Sequence, residues 1–585
     1  MRSPGSEPLA RPKSRREPVI PIQLRSRTMQ TPPRSTTALS WLAATMLAVL
    51  AVTPSTIVAQ AGQPGEANVV VEIVFKSERR HPDPFRRVDV GAVFTDPKGD
   101  RRAVPAFWAG NDTWKIRYAS PHTGTHRYRS NCSARNDPGL HGVEGTIEIK
   151  PYTGKNRLIR HGPIRVAANR RHFEHPDGTP FFWLGDTWWK GLCKRLSWDG
   201  FQKLTADRKA KGFSVVQIVC GPYPDEEMFA ARWENEGGKP YEARDFSIAN
   251  PRYFDYSDRR ILHLIDVGIV PAIVGGWGRP QRGGKSTIAQ VGAEGYKRHW
   301  RNLVARYGAY PVVWIVAGEA KDSQGPWSEV AKYLKAVDPY HRPLTYHAPG
   351  HPRRAIKDNT AFDFDMPAIG HDGLETARRT LDLIKSCRSQ KPVRPVLCGE
   401  ACYEGHMQTN FQYVQRYLFW SFILSGAAGH TYGAAGVWQA SVEEDPGITP
   451  VYDLTTWKDG MNYPGSTQLG LGRRLLEKYP WSRFEPHPEW VEKDCFAAGI
   501  PGEVRIVYKP RRNIYDWHGP KVTGLDPTVD WHAYYFDPAT GRTFDQGMIK
   551  ASVSGNDGAA KPVEFKKRVP SPQDWVLVFE AKRDR

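Results

Sequence analysis

The hydrophobic pattern changes twice along the chain. Over residues 68–150, short apolar runs at 69–75, 88–94, 114–118 and 125–128 are separated by Gly, Pro, Asn and Asp. Runs of this length and period read as half-buried strands, and their close spacing predicts a β-sandwich over 68–155. From 162 to 480, continuous apolar runs at 181–184, 214–219, 270–274, 312–316, 343–346, 362–366, 395–397 and 429–433 alternate with helical stretches. In one of these stretches Tyr296, Trp300, Leu303, Val304 and Tyr307 recur on one helix face. Other helices are expected near 198–211, 251–267, 326–337, 374–387 and 410–425, with a last one near 466–478. Eight strand–helix units over 162–480 predict an α/β domain, a (β/α)8 TIM barrel. A doubly wound sheet is the competing arrangement, but no glycine-rich phosphate loop follows the first strand. Residues 490–585 return to strand patterns at 504–508, 531–536 and 575–579, with a turn at 537–541. They predict a second, smaller β-sandwich, which either packs on the barrel or binds polymer.

In a TIM barrel the chemistry sits where strands end on the C-terminal side. The residues that follow each expected strand are therefore the candidates. Asp186, Trp188 and Trp189 follow the first, Tyr223 the second and Trp277 the third. Glu319 follows the fourth, His347 the fifth and His371 the sixth. Glu400, Tyr403 and Glu404 follow the seventh, and Trp438 lies beyond the eighth. Two glutamates each end an apolar run and follow a glycine, in VVWIVAG-Glu319 and PVLCG-Glu400. A pair of carboxyl groups across a barrel mouth is what glycosidic cleavage needs. One protonates the leaving oxygen, and the other attacks the anomeric carbon or activates water. The competing reading of either glutamate is a buried ion pair with Lys or Arg. The remaining candidates are substrate-binding groups: indole and phenol rings stack on sugar faces, and Asp186, Glu404 and the histidines can bond hydroxyls. The same aromatics could equally fill the core. Asp186, His347 and His371 could in principle form a metal cluster, but their spacing is not diagnostic, and neither a metal nor a cofactor is expected. No G-x-S-x-G elbow occurs in the barrel.

Composition narrows the class. The chain has 585 residues, 40% hydrophobic and 11% aromatic, enough for about two to four packed domains. Of its net charge of +20, residues 1–40 contribute +6, so about +14 is dispersed over the rest. That favours acidic partners such as pectic polysaccharides. No basic run interleaved with aromatics and no zinc-ligand spacing points to nucleic acid. The seven cysteines are scattered and do not form a disulfide framework, although one or two bridges are open. A basic leader is followed by the apolar run 41–53 and an A-x-A motif at 59–61, so 1–61 reads as a signal peptide with a basic extension. Met29 is an alternative start. Export with the signal removed, and no stable membrane insertion, is the expected consequence; an uncleaved anchor is the alternative. The substrate class is a polysaccharide or oligosaccharide. A non-catalytic carbohydrate-binding or scaffolding protein with a degenerate barrel is the second reading.

One segment goes further. FFWLGDTWWKGLCKRLSWDGFQKLTADRKAKGFSVVQ, residues 181–217, resembles the opening of the apiosidase-like glycoside hydrolase barrels, with their F-x-x-L-G-D-T-x-W strand and R-x-x-x-G-F helix end. VVWIVAGEAK and PVLCGEACYEG are similar to that family's two catalytic strand ends, and DFDMPAIGH (363–371) to its sixth-strand segment. The resemblance covers most of residues 165–480. The flanking regions look like the N-terminal sandwich and the small collagen-binding-type β-domain that accompany such barrels. It implies a retaining mechanism, with Glu319 as acid/base and Glu400 as nucleophile, and release of apiose from pectic side chains. Relatives often carry aspartate at the fourth strand, where this chain has Glu319.

Overall fold

The computed structural model describes residues 57–58, 64–278, 285–444, 454–550 and 563–582. The apolar run 41–53 and the motif at 59–61 lie outside them. Among the described residues, no helix is long and apolar enough to cross a membrane.

The centre is a curled parallel sheet. Its strands are β1 (Trp183–Trp188), β2 (Val215–Val219), β3 (Val270–Val274), β4 (Val313–Gly318), β5 (Leu344–Pro349), β6 (Pro367–Ala368) and β7 (Gly429–Tyr432). They pair in the order β6-β5-β4-β3-β2-β1-β7. Residues 395–400 fill the remaining gap through single contacts instead of a continuous ladder. Leu397 N donates to Asp365 O at 3.1 Å and Gly399 N to Pro367 O at 2.9 Å, while Ala428 N donates to Val396 O at 2.7 Å. The sheet thus closes as a (β/α)8 barrel. Helices cover it outside, so its strands are buried on both faces and read as unbroken apolar runs. The helices are α1 (Trp198–Lys211), α2 (Pro251–Val267), α3 (Thr287–Tyr307), α4 (Trp327–Val337), α5 (Gly373–Ser389), α6 (Gln412–Leu424) and α7 (Pro464–Leu476). Local chemistry sets their ends. The Ser197 side chain accepts from Gly200 N at the start of α1, and Gly212, at φ 90°, closes it in the left-handed region.

A four-stranded and a five-stranded sheet between Ile57 and Lys150 form the N-terminal sandwich. Phe94 and Tyr118 stack across it at 3.9 Å. A buried ionic network fastens it to the barrel. Arg117 donates to Glu72 Oε2 (3.0 Å), to Asp258 Oδ2 on α2 (2.6 Å) and to the Arg306 carbonyl on α3 (2.8 Å).

The C-terminal region is a six-stranded antiparallel sheet with a two-stranded companion, Val522–Leu525 and Val563–Phe565. Along the strand Val504–Lys509 the side chains alternate between two cores. Ile506 and Tyr508 join the barrel core against α6, while Val507 joins a separate core with Trp531, Tyr535 and Leu577. All seven cysteines are buried free thiols.

Candidate active site

Glu319 and Glu400 owe their positions to the glycines before them. A bulge interrupts the pairing of β4 with β5 between Ile315 and Gly318. A Cβ on Gly318 would fall 2.1 Å from the Trp277 ring, so only glycine lets the backbone pass beneath that indole. Glu319 then turns into the left-handed region at φ 48°, with its N–H bonded to the His347 carbonyl at 2.8 Å. Gly399 is as tightly enclosed: a Cβ there would lie 2.6 Å from Met366 Cγ and 2.8 Å from His347 Cδ2.

Both carboxylates line one cavity of about 160 Å³ at the barrel mouth, walled by Trp189, Trp277, Tyr403 and Trp438. It is not the largest hollow on the molecule, since a cleft of about 960 Å³ runs between α5, α6 and the C-terminal sheet. Its chemistry singles it out. His347 Nε2 approaches Glu400 Oε2 to 3.1 Å, a close contact bent away from ideal hydrogen-bond geometry. His371 Nε2 lies 3.5 Å from Glu400 Oε1. The Tyr403 amide donates to His371 Nδ1 at 3.2 Å, which leaves the ring proton on Nε2, facing the carboxylate. Burial alone would raise the Glu400 pKa. The two histidines outweigh it and hold the carboxyl well below the ordinary range, so Glu400 is ionised at neutral pH.

The walls are rigid. Trp189 Nε1 donates to the Tyr403 hydroxyl at 2.8 Å. Burial, with Glu400 adding to it, pushes that phenol's pKa far up, so the group stays a neutral donor beside the carboxylate. The Trp189, Trp277 and His347 rings pack mutually with centroids 5.0–5.3 Å apart. Behind Trp438, the buried Lys190 ammonium sits 3.8 Å from the Trp233 ring and 5.5 Å from the Trp438 ring. Its charge is paired with Glu226 at 3.2 Å, and burial lowers its pKa to about 8.

Of the candidates read from the sequence, Trp189, Trp277, His371, Tyr403 and Trp438 line this cavity with the two glutamates. Asp186, Trp188, Tyr223, His347 and Glu404 do not. Asp186 lies inside β1, because that strand runs to Trp188 and not only to Leu184. Its carboxylate is fully buried and accepts from Arg208 Nε (2.6 Å) and Trp188 Nε1 (2.8 Å), which ties β1 to α1. The same bond holds Trp188 in the core against Phe201. With Asp186 committed to Arg208, the trio Asp186, His347 and His371 does not converge on a metal. Among the described residues, the one group close enough to do so is Asp96, Asp100 and His122 in the N-terminal sandwich. Tyr223 packs edge-on to Trp233. His347 acts from behind, through Glu400. Glu404 accepts from the Tyr432 hydroxyl (2.6 Å) and Gly465 N (3.0 Å), and burial raises its pKa to about 7. Besides Pro224, two polar lining residues escaped the sequence reading, Asp225 and His406. Burial, with His371 beside it, lowers the His406 pKa to about 4. Asp225 lies in a loop and His406 opens a single 3-10 turn, each two residues beyond a candidate, Tyr223 and Glu404, where no periodicity marks a residue.

The comparisons with known proteins agree with this chemistry. Residues 167–483 match the model of the apiosidase-like catalytic domain, and residues 68–133 match a domain of unknown function, DUF5060. No curated protein matches. Among solved structures, a candidate glycoside hydrolase from Bacteroides vulgatus superposes with a TM-score of 0.68 at 18% identity, over 89% of this chain and 100% of its own. A family 5 glycoside hydrolase from the same organism gives 0.57 at 19% identity, over 72% of this chain and 94% of its own. At such identities the superpositions speak for the fold. The family match spans more than half of the chain and contains both glutamates with their strand ends, so this protein belongs to the apiosidase-like family and is a glycoside hydrolase.

Proposed function

We propose that the protein is an exported, retaining glycosidase that removes sugar branches from plant-type acidic polysaccharide, with Glu400 as nucleophile and Glu319 as acid/base. One observation carries the reading: both carboxylates line a single ring-walled cavity, and two histidines press Glu400 into its ionised form. Ionised Glu400 attacks the anomeric carbon while Glu319 protonates the departing glycosidic oxygen. A covalent glycosyl-enzyme results. Glu319, now a carboxylate, deprotonates a water that attacks the same carbon and frees Glu400. Two inversions give net retention. Apiose on a pectic side chain is the sugar that the family's name suggests, and the basic surface favours such an acidic polymer. The leader at 1–61 is the basis for export.

The test is a pair of amide substitutions assayed on pectic oligosaccharides, with the anomeric form of the released sugar followed by NMR. Glu400→Gln and Glu319→Gln are each expected to lose at least ~10³-fold in turnover while keeping the native circular dichroism spectrum. Azide added to a Glu319→Ala variant is expected to yield a glycosyl azide of retained configuration, and to a Glu400→Ala variant one of inverted configuration. Full activity in either amide variant, or an inverted first product from the native enzyme, defeats the proposal.

A further inference from the structure

Among the described residues, eight large hydrophobic side chains are strongly exposed, and five of them belong to two segments that touch. The first segment continues out of the active site. His406 lines the cavity, its neighbour Met407 is exposed, and Phe411, also exposed, precedes α6. The second is residues 511–518, which leave the strand Val504–Lys509 of the C-terminal sheet and carry Ile514, Tyr515 and Trp517. They meet at Tyr413, whose hydroxyl donates to the Arg511 carbonyl at 3.0 Å. The Arg511 guanidinium also lies 5.4 Å from the Tyr413 ring centre. Tyr413 is seven residues from His406, so its Cα lies at most about 25 Å from that of His406 in the cavity wall.

The second segment is a built surface. Asp516 is buried at its centre and accepts from Lys509 Nζ (2.5 Å) and Arg512 N (3.2 Å). Tyr515 N is fixed to Asn513 Oδ1 at 2.8 Å, and the Trp517 carbonyl accepts from Val569 N at 3.3 Å. Around this pinned carboxylate Tyr515 and Trp517 turn outward, 77% and 45% exposed. Rings exposed on a pinned backbone, in a segment hydrogen-bonded to the helix that follows the cavity-lining residues, form a recognition surface. Charge names the occupant. Arg512 is engaged by Glu492 at 3.0 Å, whereas Arg511, at the start of the ring-bearing segment, makes no ion pair among the described residues and lies against the Tyr413 ring.

We infer that Phe411, Tyr515 and Trp517 form a platform for the main chain of the polymer, with their rings against sugar faces and Arg511 pairing with a uronate carboxylate. This rests on the glycosidase reading above, and it assigns the C-terminal domain a share in substrate capture. Its test reads binding alone. Full-length protein carrying Glu400→Gln, so that no polymer is consumed, is titrated calorimetrically with polygalacturonate and with dextran. Polygalacturonate is expected to bind and dextran to bind more weakly. Adding Tyr515→Ala and Trp517→Ala should weaken polygalacturonate binding about tenfold or more, the loss of two stacking contacts. Trp517→Phe alone should keep most of it, and Arg511→Ala should abolish the preference over dextran. Equal binding by the parent and the double-alanine variant overturns the inference, as does a parent that binds neither polymer. A dimer seen by light scattering that the double variant dissociates, without polymer binding, overturns it too, because the face is then a self-interface. Residual hydrolysis by Glu400→Gln would instead refute the nucleophile and leave this result standing.

Discussion

Glu400 and Glu404 are one helical turn apart in number and opposite in electrostatic setting. Glu404 is desolvated behind the wall, and burial lifts its pKa to about 7 although Tyr432 and Gly465 both donate to it. Glu400 is desolvated too, yet His347 and His371 draw its pKa far down. Only the second arrangement supplies an anion to attack an electrophilic carbon at neutral pH. The acid limb of kcat/KM is set by ionisation of the nucleophile in the free enzyme. Losing the proton held on His371 Nε2 weakens the anion, raises its pKa and moves that limb to higher pH. A His371→Phe variant is therefore expected to need a higher pH for half-maximal kcat/KM, while activity on the plateau changes less. The pH–rate profiles of native and variant enzyme measure this directly. An unmoved limb with a uniformly lower plateau would mean that His371 shapes the cavity and does not tune Glu400. Glu319 holds a left-handed φ of 48°, which costs a side-chain-bearing residue about 1 kcal/mol.

At the scale of elements, the glycine before each glutamate is a packing requirement. Gly318 passes under Trp277, a wall of the cavity, so an added methyl must move either the indole or the end of β4. Gly318→Ala is expected to cost about 1–3 kcal/mol in stability and on the order of 10²-fold in turnover, because it displaces Glu319 and its stacking partner together. Chemical denaturation and steady-state kinetics on one preparation separate the two effects, and an alanine variant with native kinetics would refute the packing account. The barrel itself was legible in the sequence because strands covered on both faces are continuous apolar runs of countable number. The seventh, 395–400, has no continuous ladder and was recognisable mainly by its Gly-Glu end. Register was not legible. β1 runs four residues past its expected end, and since successive side chains alternate faces, Asp186 and Trp188 went outward to Arg208 and Phe201 of α1 while Trp189 reached the cavity. Asp225 comes from a loop and His406 from a single 3-10 turn, which tertiary contacts place and no period announces.

At the scale of the whole molecule, the C-terminal sheet behaves as part of the barrel. Tyr508 and Phe536 lie against Trp420 of α6 with ring centres 6.3 and 6.5 Å apart, so one face of the sheet is built into the barrel core. A buried bidentate pair reinforces the junction: Arg416 on α6 donates to both oxygens of Asp574 at 2.8 and 2.6 Å, and Tyr508 donates to the same carboxylate at 3.2 Å. Removing one partner of such a pair leaves a desolvated charge, at a cost of about 3–5 kcal/mol. If the sheet were an independent module, Asp574→Ala would loosen it alone. Because Tyr417 and Trp420 of α6 pack on Phe496, Tyr508 and Phe536 of the sheet, the barrel should be destabilised with it. Calorimetry of the native protein is expected to give one transition for the barrel and the C-terminal region, shifted down as a unit by Asp574→Ala. A chain ending at residue 483 should be insoluble, or expose enough of Tyr417 and Trp420 to bind a hydrophobic dye. Two resolved transitions, with only the lower one moved by the substitution, would show the junction to be dispensable. The same coupling keeps the ring-bearing segment 511–518 at a fixed distance from the cavity, which a tethered domain could not do.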